Sequence, residues 1–353
     1  MHETVELRVD GILAQRFLSP DEGRDLGNPE LTALVGPSVR KLVLDTQSDR
    51  CNEIRELARV LLHEHREYLY AGWYYHRSYT RAELASADLL QVFFTGYFEP
   101  IGEACGTIYD YSKTCQFCGA GRVQNGDLKL DLRKAPKNKD FATTIADEWI
   151  VSQRLAELFV DHEVTGVELR PVRHKARYQD GPYTFSSYPS GRELLRLAAE
   201  AGYPDQEGDF WIWLNRPEQA TLRERVTEER IAAGEKRAAR RPPSLPPWYQ
   251  LIVKSRSVDI RPETQLGASA FDEETDDEYR CPLGHVAGLN MISELFAARD
   301  TWDGGDIAVT RQLVGVRRGV LVPSPLLVIS QRLYRLLLEH HIKGFKVEVV
   351  HLL

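Results

Sequence analysis

The chain has 353 residues, five cysteines and a formal charge of −7 at neutral pH. That length holds two or three domains of roughly 100–200 residues, and no apolar run approaches the ~18 residues of a membrane span. The acidic balance argues against a surface that grips nucleic acid throughout, though a local basic patch survives it. The acidic, non-signal-like start Met1-His2-Glu3 suggests a cytoplasmic protein.

The loose alternation of Val5, Leu7, Val9, Ile12 and Leu13 predicts one or two strands, and Leu42-Val43-Leu44 another. From Cys51 to about Tyr79 the spacing of Ile54, Leu57, Val60, Leu61, Tyr68, Leu69 and Trp73 predicts a long helix, interrupted near Gly72. His63 and His65 on it point apart and lack metal-ligand spacing, so they read as solvated. The aromatic group Tyr68, Tyr70, Trp73, Tyr74, Tyr75 and Tyr79 suits either domain packing or a partner surface. A short helix capped by Thr80 and strands near 90–94 and 106–110 follow.

The most chemically informative stretch is Cys115-Gln116-Phe117-Cys118-Gly119. Two thiolates at this spacing can turn onto one tetrahedral metal, and the glycine lets the backbone fold beneath it. Alone it is half a site. The odd cysteine count likewise points to metal or free thiols rather than a disulfide framework. The basic loop at 133–139 reads as a solvated turn.

A segment then occurs twice. Residues 149–172 and 327–350 align at constant offset, with Ser152-Gln153-Arg154-Leu155 on Ser330-Gln331-Arg332-Leu333 and Gly166 on Gly344. Each copy opens on an apolar run and has a serine suited to cap a helix. Leu155, Leu158 and Phe159, like Leu333, Leu336 and Leu337, lie on one helical face, and a glycine can end that helix. Each copy therefore predicts strand, helix, strand. Between the copies lie a helix at 193–201, an apolar strand at 210–214, a charged helix at 217–241 and a Pro-rich linker around Pro242-Pro243-Ser244-Leu245-Pro246-Pro247. Beyond the linker come a strand at 248–253, an acidic stretch at 272–278, and Cys281-Pro282-Leu283-Gly284-His285.

These features predict an α+β (mixed α/β) chain: two related strand-helix-strand units, a knuckle insertion and a more helical amino-terminal region. The expected divisions are 1–89, 90–216, 217–247 and 248–353.

The knuckle, the helix leading to Thr165-Gly166-Val167-Glu168-Leu169, and the closing Gly344-Phe345-Lys346-Val347-Glu348 resemble the bacterial double-CxxCG-motif proteins, described as immunity proteins of polymorphic toxin and swarm-inhibition systems. The resemblance covers roughly residues 90–175 and 280–352. It implies a protein that neutralises a cognate toxin by binding it, and two knuckles that together supply four thiolates to a structural zinc. Here the second knuckle departs from the pattern, with Gly284 where the fourth cysteine would stand. The implied ligand set becomes Cys115, Cys118, Cys281 and His285, with Cys105 a weaker candidate.

No phosphate-binding loop, nucleophile elbow or zinc-peptidase motif is present. Asp147, Glu148 and His162 flank the first repeat, where carboxylates meet a helix dipole without a catalytic role. Two function classes follow. One is a toxin-binding immunity factor, with the acidic stretch and the aromatic segment as partner surfaces. The other is a nucleic-acid-associated or hydrolytic enzyme using the knuckle and basic loop.

Overall fold

The computed structural model describes residues 1–26, 39–175, 245–274, 278–317 and 321–353, with 196, 199, 200, 202, 216–222, 224 and 225. The helix and strand expected at 193–201 and 210–214, and most of the charged helix and linker, lie outside the described residues. The chain separates into two compact units, one of His2–Ser78 and Asp180–Pro242, the other of Met1, Tyr79–Gln179 and Pro243–Leu353.

The smaller unit is built on an antiparallel sheet of β1 (His2–Val9), β2 (Arg24–Asp25), β3 (Arg40–Asp45) and β4 (Tyr70–Ser78), in the order β2-β3-β1-β4. Val5 pairs with Leu44 and Leu7 with Leu42, so one face is apolar, and all four side chains are buried. Helix α1 (Gly11–Phe17) follows β1 directly, capped by the Asp10 carboxylate. Ile12 and Leu13 are therefore helical rather than in a second strand. Helix α2 (Asp49–Val60), capped by Ser48, buries Cys51 and Ile54.

The long helix expected through Tyr79 stops early. A π turn at Leu61–His65 ends on Arg66 in the left-handed conformation, and residues 70–78 form β4. Trp73 and Tyr75 lie opposite Leu7 and Val5, on the face that carries the core, while Tyr74 lies opposite Glu6 on the other. Aromatic side chains fit such a pleated, half-buried surface well. The mixed α+β class holds, with helix and strand in near-equal measure in the amino-terminal region.

In the larger unit, α3 (Arg81–Ser86) begins with a capping box between Thr80 and Glu83. Its strands are β5 (Leu89–Phe94), β6 (Ile108–Asp110), β7 (Val123–Asn125), β8 (Lys129–Leu130), β9 (Phe141–Thr143), β10 (Trp149–Ser152), β11 (Val167–Pro171), β12 (Arg173–His174), β13 (Trp248–Val253), β14 (Leu266–Gly267), β15 (Val286–Gly288), β16 (Asn290–Met291), β17 (Leu295–Ala297), β18 (Ile307–Val314), β19 (Ser324–Ser330) and β20 (Phe345–Leu352). Two helices, α4 (Gln153–Asp161) and α5 (Gln331–Glu339), follow β10 and β19. Ser152 and Ser330 cap them, accepting from the Leu155 and Leu333 amides. The two strand-helix-strand units stand as the repeat implies, but the left-handed residues that follow the helix ends are Glu163 and His341, and Gly166 and Gly344 take positive φ just before the closing strands.

The repeats belong to two different sheets, β11-β13-β10-β9 and β15-β18-β19-β5-β20-β17. Within them the pairings correspond. Gln250 on β13 faces Ile150, and Gln91 on β5 faces Val328; Leu251 faces Leu169, and Val92 faces Val347. β13 thus fills the gap between the strands of the first repeat, and β5 the same gap in the second. Each half of the duplication places its first strand in the sheet of the other. The two helices share one core, in which Leu155, Leu158, Phe159, Leu333, Tyr334 and Leu337 are buried together.

The exchange is locked by reciprocal polar contacts. Asp140 accepts from the Ser152 hydroxyl (2.9 Å) and the Lys343 amide (2.9 Å); Asp306 accepts from the Ser330 hydroxyl (2.9 Å) and the Thr165 amide (3.1 Å). Each aspartate so joins its own repeat's cap to the other repeat's helix-to-strand turn. Arg154 donates to the His340 carbonyl, and Arg332 to the His162 carbonyl, so each helix start satisfies the other helix's end. His162 and His340 meet edge to face, ring centroids 5.4 Å apart.

Candidate metal centre

Both knuckles are tight turns made by the same backbone device. The Cys115 amide donates to the Ala120 carbonyl, and the Cys281 amide donates to Val286, five residues on in each case. The turns differ by one residue. In the first, Gly119 takes positive φ just after Cys118 and its amide returns to the Cys115 carbonyl; in the second, Gly284 takes positive φ and its amide returns to Cys281. The glycine has moved into the ligand position and the ligand to the next residue. An imidazole is longer than a thiol, and His285 spans that difference.

The fold brings the two turns together. Cys115 Sγ lies 3.8 Å from Cys281 Sγ, and His285 Nδ1 lies 3.6 Å from Cys281 Sγ and 3.7 Å from Cys118 Sγ. All four ligand atoms fall within 4.8 Å of one another. A tetrahedral ion with bonds of ~2.3 Å to sulfur and ~2.0 Å to nitrogen separates its ligands by about 3.8 Å for S···S and about 3.5 Å for S···N. The donor set therefore fits a thiolate-binding tetrahedral metal. Four protein ligands leave no coordination position open, which is the arrangement of structural rather than catalytic sites.

The three cysteines are buried against Val286 and Leu313, and His285 is the least buried of the four. The Cys118 backbone amide, and then that of Phe117, hold the Cys115 thiol below its ordinary range against the opposing effect of burial. Burial pushes the Cys118 thiol up, and the neighbouring Cys115 and Cys281 add to that rise. Three thiolates this close would repel one another, and a bound divalent metal would offset that repulsion.

Cys105 lies outside the cluster, buried in a short turn. His63 and His65 are exposed on the π turn. In the basic loop Arg133 is held by Asp131 through paired bonds of 2.7 and 2.6 Å. Of the acidic stretch, 275–277 lie outside the described residues; Glu274 is turned inward and accepts from the Leu289 amide at 2.6 Å. Glu148 serves no helix dipole. It is buried and accepts from the Gly102 amide, the Tyr109 hydroxyl (2.6 Å) and the Thr144 hydroxyl (2.7 Å), tying three loops together. Burial and the Glu148 charge push the Tyr109 phenol far above its usual range, so it stays a donor.

Sequence reading missed Asp140 and Asp306. Their signal is the short motif shared by Asp140-Phe141-Ala142-Thr143-Thr144 and Asp306-Ile307-Ala308-Val309-Thr310. The aspartates are separated by the same 166 residues as Cys115 and Cys281. The duplication therefore includes the knuckles, and the two half-sites are repeat-equivalent. Among the described residues no helix is long and apolar enough to cross a membrane. No protein-family model, curated protein or solved structure matches the chain.

Proposed function

We propose that the protein is an immunity-type binding protein that neutralises a cognate bacterial toxin, with one structural zinc held by Cys115, Cys118, Cys281 and His285. The observation that carries the reading is the ligand set: two knuckles remote in sequence bring four ligand atoms within 4.8 Å of one another, a full complement for a tetrahedral ion that would leave no position for substrate. Three thiolates and an imidazole favour zinc over hard cations. The zinc ties the halves of the duplication together, and function then lies in the surface those halves present. The resemblance to the double-CxxCG proteins supplies the kind of partner, a toxin bound in the same compartment.

The test has two readouts. Zinc assayed on protein purified without added metal should approach one per chain. Co-expression with a toxin encoded beside the gene should restore growth and yield a complex that survives gel filtration. Absence of protection against any neighbouring toxin, with salt-sensitive binding to DNA or RNA instead, would sink the reading in favour of the polynucleotide enzyme.

A further inference from the structure

Beside the metal cluster lies a cleft of about 380 Å³ whose floor includes Cys115 and His285. Lys113, Arg256 and Arg311 line it. Arg311 is paired with Asp259 at 2.9 Å, but among the described residues neither Lys113 nor Arg256 has an ion-pair partner. Arg317 packs its stem over Gly119 at the neighbouring turn. Three thiolates around a divalent ion leave a net charge of about −1, so one cation suffices to balance the centre and the others are in surplus.

The cleft also has an apolar edge. Leu283, at the tip of the second knuckle, lines it and is 62% exposed. Phe117 holds the equivalent position on the first knuckle and is 55% exposed. Both knuckle tips thus present a large apolar side chain to solvent, and that of Leu283 shares the cleft with Lys113 and Arg256. Folding explains neither feature, since neither tip is buried and, among the described residues, Lys113 and Arg256 have no ion-pair partner.

We propose that this cleft is a docking site for an acidic segment of a partner protein, one that places a carboxylate between Lys113 and Arg256 and an apolar side chain against Leu283. Charge complementarity selects the partner. Nucleic acid fits less well: among the described residues no Phe, Tyr or Trp lines the cleft for base stacking, and the chain's charge of −7 opposes a long polyanion. Docking here covers the least buried ligand, His285, so partner binding shields the metal. The inference rests on the binding-protein reading only for the partner's identity.

The test uses full-length, metal-loaded protein and three fluorescent probes: a peptide of alternating Glu and Leu, its Gln/Leu counterpart, and a single-stranded oligonucleotide of similar length. The acidic peptide should bind with an affinity that falls as salt rises. Lys113→Glu with Arg256→Glu, and separately Leu283→Asp, should each weaken it by about tenfold or more, leaving metal content and melting temperature unchanged. Equal binding of the Gln/Leu peptide, binding indifferent to the substitutions, absence of peptide binding, or preference for the oligonucleotide would each overturn the proposal. Growth rescue is scored separately. Rescue that fails while the acidic peptide still docks counts against the immunity reading alone, and rescue by the charge-reversed protein as full as by wild type counts against the cleft alone.

Discussion

Cys115 and Cys281 stand 166 residues apart in sequence and hold their sulfurs 3.8 Å apart. Because the knuckles belong to equivalent halves, each sulfur anchors one half of the duplication. Cys281→Ser and His285→Ala should each lower bound metal to well under one equivalent and destabilise the larger unit by about 4 kcal/mol, the scale expected when a structural metal is lost. Cys105→Ser should leave the metal content unchanged. Metal analysis with thermal melts of the three variants and of chelator-treated wild type distinguishes them; full metal retention in Cys281→Ser would show that the cluster is not the binding site.

The two glycines that lead into the closing strands of the repeats should be intolerant of any side chain. Gly166 has φ +83° and an added Cβ would sit 2.0 Å from the Ile307 carbonyl oxygen; Gly344 has φ +106°, with its Cβ 2.3 Å from the Phe141 carbonyl oxygen. In both, the obstacle is backbone of the other half, which cannot swing aside. Gly166→Ala and Gly344→Ala are each expected to cost about 3 kcal/mol, well above the usual cost of losing a left-handed glycine. Gly284→Ala, where nothing lies within 4 Å, should cost no more than about 1 kcal/mol. Chemical denaturation of the three variants tests the ordering.

The helices of the repeat were legible because their signals are local. A serine cap acts within the first turn after Ser152 or Ser330, and the leucines at three- and four-residue spacing lie within one short helix. The knuckle at Cys115 and Cys118 was legible for the same reason. The placing of β5 and β13 was not, since Gln91 and Gln250 lie outside the repeated segment and their partners are set by the whole sheet. β4 misled because Tyr68, Leu69 and Trp73 also satisfy helical spacing. The residue that ends the helix, Arg66, carries no turn signal in its chemistry.

That residue supplies a prediction of opposite sign. Arg66 adopts φ +58° at the end of the π turn, a conformation that costs a side-chain-bearing residue about 1 kcal/mol. It is exposed, so little packing is lost on truncation. Arg66→Gly should raise stability by up to about 1 kcal/mol, with Arg66→Ala neutral or slightly destabilising. A lower unfolding midpoint for the glycine variant would mean that the arginine makes a compensating contact.

Asp306 should make stability depend on pH in the acid range. Burial raises its carboxyl pKa, but the Thr165 amide, Arg332 at 2.5 Å and the Ser330 hydroxyl outweigh burial and hold it below the ordinary carboxylate range. A carboxylate whose folded pKa lies below its unfolded value of about 3.9 stabilises the fold fully above that value. The contribution drains away as pH falls towards the folded pKa. Asp306→Asn should therefore destabilise by about 2 kcal/mol at neutral pH, and Asp306→Ala by about 3 kcal/mol, because buried donors lose their acceptor. The gap between wild type and Asp306→Asn should narrow as pH is lowered from 5 to about 3. Taking that difference cancels any acid loss of metal common to both proteins. A gap independent of pH would show that the aspartate acts by shape and hydrogen bonding alone, without its charge.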